Sequence, residues 1–357
     1  MKKFLALIMA LCMILSLCAC GAKEEAPAAA PAEKEEAAAP EAAPAVEEKK
    51  IELVYAGIKT DEDPASIAMN VFKEEVEKNS DSITVKVYTN GALGQLNDLL
   101  SGMTDGTIDM MHNTLTCYPW VAGAEAFNVV AAPFLFSDNA ELEAFLATEE
   151  VQGWFDSIAE NSGVRCIMAA GELMPRELTA TKPIASAEDF KGLKIRTAES
   201  AIVQATMKQL GATPIVVAFA DLYMALRQGT VDAQEMPFMN TVNASLYEVQ
   251  DYYMQTDYIR DVSAIFMSNE TWNSMSAEQQ AVVLAAADKA VHAEEEATKA
   301  LLEDVYATLE ANMTKVDIDV ASIQEALGAD FYDQFEGDLW PEGTMEVVKN
   351  FKANYAG

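Results

Sequence analysis

Histidine and arginine are scarce in this chain, with two His and five Arg in 357 residues. Acid–base and nucleophilic catalysis lean heavily on histidine. A Ser-His-Asp arrangement would have to use His112, in Met111-His112-Asn113-Thr114, because His292 falls inside a long helical stretch. His112 is read as either a crevice residue or a structural one. The patterns G-x-S-x-G and H-E-x-x-H and the phosphate-cradling P-loop are absent, so an exported hydrolase, the enzymatic alternative, has no nucleophile motif behind it. Positive charge is also lacking: 24 Lys and Arg face 57 Asp and Glu, a formal net charge of −33. That field repels nucleic acid and anionic lipid headgroups and excludes both as partners. An anionic ligand would have to be drawn in by a few local cations.

Long apolar runs are missing too. The one near the start, Phe4 to Leu17, is too short for a membrane span. It follows Lys2 and Lys3 and precedes Leu17-Cys18-Ala19-Cys20-Gly21, the order of an export signal over residues 1–19. Leu-x-Ala-Cys-Gly resembles the lipobox of bacterial lipoproteins, which implies lipidation of Cys20 and a membrane anchor. Residues 20–50 are nearly all Ala, Glu, Pro and Lys, with nothing to bury, and read as a tether. Cleavage leaves Cys20, Cys117 and Cys166 with no C-x-x-C pair, so neither a metal site nor a cofactor is expected. Cys117 and Cys166 are either bonded or free, and the small apolar company of Cys166 favours a buried thiol.

From Ile51 onward the periodicity alternates. Strands are expected at Glu52 to Ala56, Ser82 to Tyr88, Thr107 to Met110, Val129 to Phe136 and Val164 to Ala170, with helices at Pro64 to Lys78 and Gln95 to Met103 between them. A second α/β run has strands at Glu177 to Ile184, Leu193 to Thr197, Pro214 to Phe219 and Val231 to Gln234, with helices at Ser200 to Leu210 and Asp221 to Gln228. Asp251 to Thr256 and Val262 to Met267 lead back. Ser276-Ala277-Glu278-Gln279 is a capping box opening a helix that runs to about Glu310, on the order of 50 Å. Its Glu294-Glu295-Glu296 run is read as a solvated face.

Between Gly192 and Pro237 the chain contains G-L-K-I-R, L-G-A-T-P and A-F-A-D-L-Y-M-A-L-R-Q-G-T-V-D-A-Q-E-M-P. These motifs resemble the core signature of the DctP-type solute-binding proteins that serve TRAP transporters, and the similarity extends over roughly residues 51–310. The resemblance implies an α/β fold of two periplasmic-binding-protein-like lobes, with crossing hinge strands and a long spine helix preceded by a Trp, here Trp272. Lobe I would take residues 51–175, completed by about 259–357, and lobe II residues 176–258. It also implies an extracytoplasmic protein without catalytic activity. Such a protein captures a small organic acid between its lobes and hands it to the membrane subunits of a TRAP permease, or serves a sensor with the same module.

Residue by residue, the resemblance assigns Arg196, last of the K-I-R triplet, to the ligand carboxylate, with a planar pair of donors that lysine lacks. Arg176 would assist, or else form a hinge salt bridge. Phe219 would pack against the ligand, and Thr114, Met236 and Tyr258 would line the pocket. Met236 stands where sialic-acid-binding members have Asn, and Thr114 and Cys117 where they have Glu and Arg. Those changes lead to the expectation of a small acid with few hydroxyls. Arg227, on the polar face of its helix, is read as solvent-facing.

Overall fold

In the computed structural model, residues 49–356 are described, and the signal, Cys20 and most of the tether lie outside them. Among the described residues eleven strands occur: β1 Ile51–Ala56, β2 Ile83–Tyr88, β3 Met110–Thr114, β4 Val164–Glu172, β5 Arg176–Ala180, β6 Lys194–Thr197, β7 Thr213–Val216, β8 Ala233–Met236, β9 Tyr252–Ile259, β10 Val262–Ser268 and β11 Thr314–Lys315. They form two sheets, ordered β2-β1-β3-β10-β4 and β11-β9-β5-β8-β6-β7. In the first, β1 runs parallel to β2 and β3 while β10 is antiparallel to β3 and β4. In the second, β6, β7 and β8 are parallel and β5 is antiparallel to β8 and β9.

Local chemistry accounts for the helices on the first sheet. Helix Pro64–Asn79 starts with Asp63 accepting from Ala65 N at 3.0 Å and with Pro64 in its first turn. It buries Ala68, Met69, Phe72 and Val76, spaced by three and four residues, against Leu53, Tyr55, Ile83 and Val85. The capping box of Ser276 and Gln279 opens helix Ala277–Asn312, 36 residues long. Its first half buries Val283, Ala286, Ala287 and Ala290 beside the first sheet, and its second half buries Val305 and Leu309 against Tyr253 of the second and Phe238 of the short helix after β8. One helix therefore braces both lobes.

The chain crosses between sheets after β4 and again between β9 and β10. Gly171, just before the first crossing, has φ +83°, and a Cβ there would lie 2.6 Å from Val291 O of the long helix. Only glycine permits that approach.

Two expectations are corrected. Val129 to Phe136 is not a strand: Glu125–Ala131 is a 3-10 helix burying Phe127, Val129, Val130 and Ala131. A short buried apolar run looks the same in either conformation, and Pro133 interrupts any ladder. The C-terminal region does not go wholly to the first lobe. β11 pairs with β9, and Ser322 Oγ, in helix Val320–Leu327, accepts from Ala187 N at 3.0 Å, whereas Phe351 in helix Thr344–Asn354 packs on Phe145 of the first lobe at 5.4 Å.

Glu177 on β5 carries a pH dependence. It is fully buried; Oε2 accepts from Thr256 N and, at 3.0 Å, from Asp257 N, while Oε1 has no hydrogen-bond partner among the described residues. Burial pushes its carboxyl up to about 8, with the Thr256 N–H opposing. The folded state thus keeps a proton that the unfolded chain releases near pH 4.5. Stability therefore falls as pH rises from about 4.5 to about 8, and levels off above that. Glu177→Gln is expected to flatten this decline and to melt higher than the parent at pH 8, with little difference at pH 5. Parallel melting-temperature profiles for the two proteins would contradict the assignment.

Candidate ligand-binding site

Open α/β sheets bind ligands beyond the carboxyl ends of their parallel strands. Here those ends face one another across a cavity of about 230 Å³. Ile58 and Lys59 follow β1, and Thr114 and Cys117 lie at the end of β3. Arg196 and Glu199 come from the end of β6, Val217 and Phe219 follow β7, and Met236 ends β8. Hydrogen bonds cross the cleft between lobes: Lys59 Nζ to Asn240 Oδ1 at 2.9 Å, Asn243 Nδ2 to Asp63 Oδ2 at 3.0 Å, and Asn97 Nδ2 to Glu199 Oε2 at 3.2 Å.

Arg196 lines this cavity and is 4% exposed. Its Nε donates to Val217 O at 2.9 Å, and among the described residues no carboxylate pairs with it. Burial pushes its pKa down to about 10, with Glu235 opposing and Arg176 reinforcing the shift. A desolvated guanidinium with open donors is a site for a planar anion.

Arg176 also lines the cavity but is already engaged. Nε donates to Glu235 Oε2 at 2.6 Å, and Nη2 donates to Oε1 at 2.8 Å and to Glu235 O at 2.9 Å. Burial works against its charge, and the Glu235 carboxylate more than compensates, holding its pKa above the usual range. The hinge salt bridge is therefore present.

Phe219, Met236 and Thr114 line the cavity with the arginines. Tyr258 does not. Its hydroxyl donates to Glu235 Oε2, and its ring belongs to a separate small chamber with Leu178, Phe190 and Met207. Burial, then the Glu235 charge, raises its pKa. Its part is to hold the partner of Arg176. Cys117 lines the cavity, while Cys166 sits on another face; both are free, and burial pushes their thiols up to about 11 and about 12. Arg227 is exposed, as read.

His112 sits in a buried cluster that also lines a cavity of about 50 Å³ with Lys59, Thr114 and Asn240, and Glu294 overturns the solvated-face reading. His112 Nδ1 lies 2.6 Å from the Tyr55 hydroxyl, and Nε2 lies 2.7 Å from Glu294 Oε2 and 3.2 Å from Ser263 Oγ; Ser263 also donates to Glu294. Glu294 is buried because helix Ala277–Asn312 turns that face to β3 and β10, while Glu296 stays out. A relay triad needs serine and acid on opposite nitrogens of the imidazole. Here both share Nε2, in a buried cluster.

Sequence reasoning missed most of the polar lining, including Lys59, Trp120 and Asp261. Lys59 is half-buried, with Nζ 4.7 Å above the Phe219 ring, and burial lowers its pKa while Asp63 opposes. It follows β1 directly, so the strand-end rule could have found it. Trp120 lines the cavity, and its buried Nε1 has no hydrogen-bond partner among the described residues. Asp261, 2% exposed in the β9–β10 crossing, also lines it; burial raises its pKa, opposed by hydrogen bonds from Thr116 and Thr114 and by the Arg176 charge. Nothing in the sequence marks Asp261. With Gln95, Asn97, Asn113 and Asn240 also present, the lining is more polar than the expected few-hydroxyl ligand requires.

Two lobes closing on an unpaired buried cation define a ligand-capture protein. Comparison with known proteins agrees. A family model described as bacterial extracellular solute-binding protein, family 7 (DctP), matches residues 55–338. A solute-binding protein of Roseobacter denitrificans is 31% identical over 259 residues, 71% of this chain and 78% of that one. The 2,3-diketo-L-gulonate-binding periplasmic protein of Escherichia coli is 28% identical, covering 79% and 85%. Among solved structures, a TRAP periplasmic solute-binding protein of Roseobacter denitrificans with bound L-galactonate superposes with a TM-score of 0.77 at 27% identity, over 85% of this chain and 99% of that one. One from Polaromonas bound to D-erythronate also gives 0.77, at 24% identity over 87% and 100%, a likeness of fold. The chain belongs to the DctP family of bacterial extracellular solute-binding proteins. It is a binding protein of transport and not an enzyme. Among the described residues no helix is long and apolar enough to cross a membrane.

Proposed function

We propose that this protein captures a small organic acid between its lobes and delivers it to the membrane subunits of a TRAP-type permease. The observation that carries the reading is Arg196, a buried guanidinium with no carboxylate partner among the described residues, facing the cavity. Relatives and neighbours named for 2,3-diketo-L-gulonate, L-galactonate and D-erythronate support an acid as ligand. Arg196 would take the carboxylate. Arg176, held by Glu235, would add field, and Phe219, Met236 and Thr114 would pack beside the ligand. The lobes divide near residues 175 and 258, so ligand contacts on both sides favour the closed state and shift the hinge equilibrium. Signal cleavage before Cys20 and its lipidation would hold the protein at the outer side of a cell membrane by the tether of residues 20–50.

A thermal-shift screen over organic acids and uncharged sugars tests the reading, followed by small-angle scattering with the best ligand. An acid should raise the melting temperature and compact the envelope. A preference for uncharged sugars, or an unchanged envelope at saturation, would sink it.

Lys59 serves as a clamp from the first lobe. Lys59→Met keeps the stem over Phe219 and deletes the charge-assisted bond to Asn240. Calorimetry should show affinity reduced by roughly tenfold to a hundredfold. Unaltered affinity would remove Lys59 from the closing mechanism.

A further inference from the structure

On the first-lobe wall, hydroxyls lead to a buried carboxylate. Thr114 Oγ1 lies 2.9 Å from Thr116 Oγ1, and Thr116 Oγ1 donates to Asp261 Oδ2 at 2.6 Å. Asp261 Oδ1 accepts from Val262 N at 3.0 Å and from Thr116 N at 3.3 Å. The backbone of Asp261 is pinned as well, its carbonyl accepting from Asn139 Nδ2 at 2.6 Å and from Leu173 N at 3.3 Å. Asp261 and Thr114 both line the cavity that holds Arg196, and among the described residues no cation forms an ion pair with Asp261.

Proton counting gives this wall its character. Thr116 spends its one hydroxyl proton on Asp261. Thr114 has its own acceptors within the wall: Thr116, the carboxylate, and Cys117 Sγ at 3.9 Å. What remains toward the cavity is lone pairs on Thr114 Oγ1 and on the carboxylate, which has about four acceptor sites in all. Chained hydrogen bonds polarise one another, and a buried acceptor left short of donors is costly. The cavity thus has an unpaired donor group at Arg196 and an acceptor-only wall at Thr114 and Asp261. A ligand ammonium would suit that wall but for Arg176 and Lys59 in the same lining. A hydroxyl brings a donor without added charge.

We infer that Thr114, Thr116 and Asp261 form a specificity-determining relay that receives a hydroxyl of the acid held by Arg196. The inference rests on the carboxylate reading above and adds the feature of the ligand that the first lobe selects. It replaces the expectation of a small acid with few hydroxyls, drawn from Met236, Cys117 and Thr114.

The test is calorimetric, on pairs that differ in hydroxyls: D-erythronate against butanoate, and L-galactonate against hexanoate, with 2-aminobutanoate as the ammonium probe. The parent should bind the hydroxylated member of at least one pair about tenfold to a hundredfold more tightly. In Asp261→Asn and in Thr114→Val that margin should shrink to a few-fold, because the hydroxylated acid loses more affinity than the plain acid. Melting curves check folding, and Thr114→Val keeps the test alive if the Asp261 variant is unstable. An undiminished margin in a folded variant, equal binding within both pairs, or preference for 2-aminobutanoate would overturn the relay. Arg196→Ala separates the two claims: if it binds both members as the parent does while the margin still depends on Asp261, the carboxylate reading fails and the relay stands. If no acid binds the parent, both fall.

Discussion

Arg196→Ala is expected to weaken binding of the preferred acid by roughly 30-fold to several thousandfold, the equivalent of about 2–5 kcal/mol. The size follows from burial. The guanidinium is 4% exposed and makes one hydrogen bond to protein, from Nε to Val217 O, so the ligand carboxylate would be its compensating charge. Remove the arginine, and that carboxylate enters a shielded cavity without its partner. Arg196→Lys keeps the charge and loses the planar pair of donors, so it should fall between parent and Ala. Titration calorimetry with the acid found by screening decides the matter, and parental affinity in Arg196→Ala would remove the residue from the site. Arg176→Ala should cost less affinity, because three of its hydrogen bonds already go to Glu235.

Stability, in contrast, should depend on Arg176 far more than on Arg196. Arg176→Met leaves the Glu235 carboxylate, fully buried, with the Tyr258 hydroxyl as its side-chain donor and no ion-paired cation among the described residues. Breaking one side of a buried pair costs about 3–5 kcal/mol, and the melting temperature should drop on the order of 10 °C. Adding Glu235→Gln removes the orphaned charge and should recover much of the loss, because a neutral amide is cheaper to bury. A single variant that melts with the parent, or a double variant no better than the single, would show that the pair carries little of the hinge's stability. Arg176 thus serves chiefly to hold β5 to β8, with its field on the ligand as a secondary effect.

The sequence by itself determined the alternation of strands and helices, the long helix from its capping box, and the placing of Arg196 at a strand end. Each is written in neighbours: apolar residues two or four apart, a Ser three before a Gln, a cation closing a short apolar run. Phe219 and Met236 were legible through the resemblance around residues 192 to 237 and Thr114 through its wider span over residues 51 to 310, and tertiary structure brings them to one cavity. What only that structure decided are relations between segments far apart in the chain. Whether Val129 and its neighbours form a strand or a 3-10 turn depends on what covers them. Which face of the long helix is dry made Glu294 a partner of His112 and Ser263, 182 and 31 residues away. Tyr258 and Met236 looked alike as pocket candidates, yet the carboxylate of Glu235 draws the Tyr258 hydroxyl away from the cavity while Met236 stays in its wall. Asp261 carries no local signal at all, because its role comes from meeting Thr116 across 145 residues. Periodicity reports which face of an element is buried; it holds no information about which distant group a buried charge will meet, and in this cleft those meetings set the chemistry.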